Sequence, residues 1–69
     1  MDMVVFDRYG ESGNIFWILG MAVPILNNNG RMADAQTMCN RVYNCDSYED
    51  ALKVIGEYVE LLEVTDAQV

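Results

Sequence analysis

The chain has 69 residues, 52% of them hydrophobic, with 11 acids against 4 bases and a formal net charge of -7. That is enough for one domain, and the charge excludes phosphate recognition through a basic patch, so no direct nucleic-acid binding is expected. It also repels an anionic membrane surface, while it suits a partner with a basic surface or serves solubility alone. Histidine is absent, which leaves no side chain that titrates unperturbed near neutral pH and no imidazole metal ligand. Cys39 and Cys45 are too few for a four-ligand zinc site or a disulfide-framed scaffold, so two reduced thiols are expected, a local disulfide being the alternative, and no metal or cofactor.

Taken in chain order, Met3-Val4-Val5-Phe6 is a short β-prone run with no evident pairing partner: a lone strand, an extended arm over residues 1–12 packed on the helices, or an edge that pairs with another copy. The N-terminus has no basic stretch ahead of an apolar run, so it does not resemble a signal peptide, and a cytoplasmic location is expected. Arg8-Tyr9-Gly10-Glu11-Ser12-Gly13 is rich in turn formers. A first helix is expected from Ser12 or Asn14 toward Leu26, either polar residue serving as its cap. As a helix, the apolar run 15–26 covers about 18 Å, short of a bilayer core of about 30 Å. Pro24 removes an N–H donor and crowds the carbonyl of Gly20, which predicts a kink at 20–24 or a helix that stops and restarts. Asn27-Asn28-Asn29-Gly30 ends it.

A second helix is expected over Arg31–Tyr43, with Ala35, Met38, Cys39 and Val42 at helical spacing. The third carries the clearest signals. Ser47 precedes Tyr48-Glu49-Asp50 in a capping-box-like start, and two acids in the first turn suit the helix dipole. Tyr48, Ala51, Leu52, Ile55, Tyr58, Val59 and Leu62 make one apolar face, with Glu49, Lys53, Glu57, Glu60 and Glu63 opposite, and the helix is expected to reach about Val64. The fold class read from this pattern is mainly α: a small three-helix domain with a short N-terminal extended segment or strand. One domain covers 1–69, with residues 13–64 as a helical core and 65–69 as a frayed tail.

Catalysis finds little support. Glu57 and Glu60 are three apart on the expected helix, but on its wet face, where nothing separates their pKa values. Cys39 lies on an apolar helical face, and Cys45 lies beside Asp46, which does not favour a thiolate. Gly10-Glu11-Ser12-Gly13-Asn14 lacks the Gly-Lys-Ser/Thr ending of a phosphate-binding loop and reads as a plain turn with a cap. No enzyme is expected.

Two surfaces remain. From Asp46 to Asp66 there are seven acids and one base, Lys53. Carboxylates three and four apart on a helix lie about 5–6 Å from one another. Such a face can imitate a nucleic-acid backbone toward a basic groove, or it can simply be the solvated side of an amphipathic helix. The second surface is aromatic. Phe16, Trp17 and Tyr9 are the candidate interface anchors, because the run Ile15–Leu19 is apolar all round and a small core cannot enclose it entirely. Trp17 as a core residue is the competing reading. The candidate partner-binding residues are therefore Glu49, Glu57, Glu60, Glu63, Phe16 and Trp17.

At Gly13-Asn14-Ile15-Phe16-Trp17-Ile18-Leu19-Gly20 the chain resembles a group of small proteins of bacteriophages and mobile elements that share a Gly-Asn-x-Phe-x-Ile-Leu/Met-Gly helix start. Ser47-Tyr48-Glu49-Asp50 and Tyr58-Val59 stand where that group opens and closes its last helix. Asn27-Asn28-Asn29-Gly30-Arg31, in place of a basic stretch, and Pro24 depart from the pattern. The resemblance implies a phage-type protein in a bacterial host cell and no assigned chemistry. Short acidic phage proteins often block a host machine, so it also implies an inhibitor or adaptor docking on a host protein complex, such as a nuclease or defence machine. The alternative expectation is a homo-oligomeric structural module, a homodimer at its simplest, whose apolar first helix packs on itself.

Overall fold

The computed structural model describes residues 3–65. Its elements run β1 (Met3–Phe6), a 3-10 turn (Glu11–Gly13), α1 (Ile15–Asn28), α2 (Met32–Tyr43), α3 (Tyr48–Gly56) and β2 (Glu60–Glu63). The domain is mainly α, three helices with one two-stranded parallel sheet.

Each helix begins and ends on a local signal. Asn14 caps α1: its side chain accepts a hydrogen bond from the Phe16 N–H at 2.8 Å, which satisfies one of the donors that a helix start leaves free. At the other end Gly30 takes φ +74°. Its N–H donates to the Asn27 carbonyl (3.1 Å) and the Arg31 N–H donates to the Leu26 carbonyl (2.8 Å), the paired closure that a left-handed glycine permits. Ser47 caps α3, its hydroxyl oxygen accepting from the Asp50 N–H at 3.1 Å.

Pro24 neither ends nor restarts α1, which is one helix from Ile15 to Asn28. Gly20 and Pro24 are both exposed, so water can take the carbonyl that the proline leaves without a donor. A Cβ placed on Gly20 meets nothing within 4 Å. Gly20→Ala should therefore stabilise the domain by about 0.5–1 kcal/mol, through lower backbone entropy in the unfolded chain. Urea unfolding at constant slope is the check, and a loss of stability would show that α1 depends on glycine beside its proline.

The third helix stops at Gly56 and not near Val64. Residues 60–63 are strand β2, which lies parallel to β1 with Met3 beside Glu60, Val4 beside Leu61, Val5 beside Leu62 and Phe6 beside Glu63. The N-terminal strand thus has a partner within the chain, and the arm expected over residues 1–12 carries part of the core. Helical periodicity holds through Ile55. Beyond it, glycine at 56 weakens the helix, and pairing satisfies the backbone of both β-prone runs at once. Parallel strands cannot be joined by a tight turn; here the whole helical core forms the crossover. One consequence is that Leu62, expected on a buried helix face, points outward at 45% exposure beside Val5. Of the expected frayed tail, residues 66–69 lie outside the described residues.

The core gathers residues from β1 and all three helices. Val4 and Phe6 of β1, Ile18, Leu19, Ala22 and Leu26 of α1, Ala35, Met38 and Val42 of α2, and Leu52 and Ile55 of α3 are buried together. No polar or charged residue among those described is buried. No helix among the described residues is long and apolar enough to cross a membrane.

Candidate interaction surface

The acidic row expected along the third helix does not exist as one face. Glu49 sits in the first turn of α3, Glu57 caps its C-terminus, and Glu60 and Glu63 belong to β2. Arg8, just after β1, reaches both ends of this set. Its Nη1 donates to Glu49 Oε2 at 2.5 Å, its Nη2 donates to Glu63 Oε1 at 3.0 Å, and its Nε donates to the other Glu63 oxygen. The guanidinium also lies over the Tyr48 ring, 5.5 Å from its centroid. Arg41 repeats the arrangement on α2. It grips Glu57 through two parallel hydrogen bonds of 2.8 and 2.9 Å and lies 5.7 Å from the Tyr58 ring centroid.

Three of the four candidate acids are therefore neutralised within the chain. Glu60 makes no ion pair with the described residues. The hydrogen bond from Arg8 holds the Glu63 carboxyl below the usual carboxylate range, and the bond from Arg41 does the same for Glu57. Hydrogen bonds to Glu63 and Glu49, in that order, raise the Arg8 pKa further above neutrality. Burial pushes the Tyr48 phenol up; its hydroxyl donates to the Gly13 carbonyl at 2.6 Å. A carboxyl with a depressed folded pKa stabilises the fold above its unfolded pKa, about 4.3 for Glu, and the contribution is lost as pH falls through the folded value. Melting curves of the wild type and Glu57→Gln should accordingly differ at pH 7 and converge as the pH drops below about 4. A gap that stays constant down to pH 2.5 would mean that the Arg41 pair contributes nothing.

The aromatic candidates fare differently. Ile18 and Leu19 turn inward, which leaves Phe16 62% and Trp17 39% exposed on the outer side of α1. Trp17 is thus not the centre of the core. It borders a polar hollow of about 370 Å³ with Asp7, Glu11 and Ser12. Phe16 has company that the sequence reading missed. Tyr43, the last residue of α2 and 67% exposed, stands with its ring centroid 5.9 Å from that of Phe16. The two rings border a groove of about 400 Å³ between α1 and the α2–α3 turn, with Ile15, Val42, Tyr48 and Asp46 also lining it. A signal for Tyr43 was present: Val42 fits the buried face of the second helix, and the next residue on a helix points about 100° away. Tyr9, the remaining aromatic candidate, is 88% exposed.

Among the described residues, no cluster of three or more Cys, Asp and Glu side chains is placed to hold a metal ion. Comparison with family models, with curated proteins and with solved structures finds no match to this chain.

Proposed function

We propose that this protein is a binding module that docks on another protein through the Phe16–Tyr43 groove, acting by occupying its partner's surface and not by catalysis. The observation that carries the reading is the exposed aromatic pair over an apolar groove. Large aromatics held rigidly at the surface are the usual anchors of protein interfaces. The acidic charge favours a partner with a basic surface. The resemblance to small phage-type proteins makes a host protein complex in the bacterial cytoplasm the partner class, with inhibition or modulation as the outcome. The acidic row is the weaker version of the contact surface, since Arg8 and Arg41 occupy three of its carboxylates.

Affinity capture from bacterial lysate with three baits tests this: the wild type, Phe16→Ala/Tyr43→Ala, and Glu57→Lys/Glu60→Lys. The aromatic double variant should lose the wild-type partner, by about 30-fold or more in affinity for anchor residues. It should keep its fold, because neither side chain is in the core. Loss with the charge-reversed bait alone would move the interface to the acidic residues. Retention by both variants would sink the groove reading.

Self-association is the second reading, and one feature of the sheet favours it. Val5 and Leu62 stand side by side on the outer face, each 45% exposed, with Val64 38% exposed beyond them. Sedimentation at micromolar concentration decides: a dimer that Leu62→Lys dissociates supports it, and a monomer throughout removes it.

A further inference from the structure

The chain uses one recognition unit twice on itself. Arg8 lies over the Tyr48 ring while hydrogen-bonded to Glu49, and Arg41 lies over the Tyr58 ring while hydrogen-bonded to Glu57. Each unit sets an arginine against a tyrosine face with a carboxylate alongside, which combines cation–π attraction with a charge-assisted hydrogen bond. The Phe16–Tyr43 groove holds two parts of a third such unit. Tyr43 supplies the ring, Phe16 adds a second ring beside it, and Asp46 lies in the same lining. Among the described residues no base lines this groove, although Arg8 lies over Tyr48 in its wall. Arg8 and Arg41 are engaged as described, Arg31 pairs with Asp34, and Lys53 is not among the lining residues. Asp46 makes no ion pair with the described residues.

The geometry points to an arginine side chain, presented by a short apolar segment of a partner protein, as the occupant of this groove. This deepens the binding function proposed above and rests on it. The aliphatic stem of the arginine would lie on Ile15 and Phe16, and its guanidinium would meet the Tyr43 ring and the Asp46 carboxylate. A second copy of this chain is a poor source of that arginine. Its three arginines are paired already, and two chains of net charge -7 repel one another.

Two synthetic peptides of sequence acetyl-Gly-Leu-X-Leu-Gly-amide, with X either arginine or its neutral analogue citrulline, test the assignment by amide NMR titration of the full chain. The arginine peptide is expected to shift the amides of Phe16, Tyr43, Asp46 and Ser47, and to bind about tenfold more tightly than the citrulline peptide. Asp46→Asn and Tyr43→Ala, each giving a folded amide spectrum, should each erase most of that preference. Equal affinity of the two peptides at these same amides would overturn the arginine assignment and leave the groove as a binding surface. Shifts confined to other amides, such as those around Trp17, would overturn the assignment too. No shift at millimolar peptide would overturn both the assignment and the groove.

Discussion

Gly13→Ala lowers the melting temperature by about 12 °C or more and costs about 3 kcal/mol or more, the largest effect expected of any single methyl group in this domain. Gly13 is buried, and a Cβ built on it falls 2.5 Å from the Cα, carbonyl carbon and carbonyl oxygen of Arg8. All three are backbone atoms, so no side-chain rotation relieves the clash. The segment after β1 must move. With it would go the hydrogen bond from the Asp7 N–H to the Ser12 hydroxyl at 2.8 Å and the grip of Arg8 on Glu49 and Glu63. On the other side of the same peptide, the Gly13 carbonyl accepts from Tyr48. Gly20→Ala, within α1, serves as the control, since it adds the same methyl group into open space. Denaturant unfolding of both variants separates the effects; a loss at position 13 below about 1 kcal/mol would mean that the arm is free to shift.

Phe6→Ala is expected to cost about 3–5 kcal/mol, the range for emptying a buried aromatic site. Phe6 is 3% exposed in β1 and belongs to the same buried cluster as Leu26 and Ile55. A chain of this length holds roughly 3–10 kcal/mol in total, so the variant should lose about a third of its stability or more. The result separates two views of residues 3–6. An accessory arm would lose little and leave the helices cooperative. A strand that closes the core would take the helices with it, which far-UV circular dichroism and hydrogen exchange both register.

The first of these predictions bears on the run Gly13–Gly20. In this chain glycine at 13 is required by the close approach of the Arg8 backbone, and asparagine at 14 caps α1. Phe16 stays outside, while Ile18 and Leu19 go in. The run therefore joins structural positions to two exposed aromatics, Phe16 and Trp17.

The helices were legible from residue order because their determinants are local. Caps at Asn14 and Ser47, the closing Gly30, and apolar positions at helical spacing all act within a few residues of themselves. That one side of the run Ile15–Leu19 stays outside also followed, from a run too apolar for a small core to enclose, whereas the choice between core and surface for Trp17 was open until α1 was packed. The end of the third helix was not legible. Tyr58, Val59 and Leu62 continue a helical spacing as well as they suit a strand, and the choice depends on β1 lying alongside, more than fifty residues earlier in the chain. The same long-range closure decided the fate of the acids. Arg8 meets Glu49 and Glu63 only because the two strands bring the chain ends together, so an acidic row read along one helix became two internal ion-pair clusters. Tyr43 met Phe16 by the packing of α1 against α2, an interhelical contact with no short-range signature. What residue order determined by itself was the chain's acidity and its three helices. Tertiary structure decided which charges stay available and which aromatics stand together, because both depend on contacts between residues far apart in sequence.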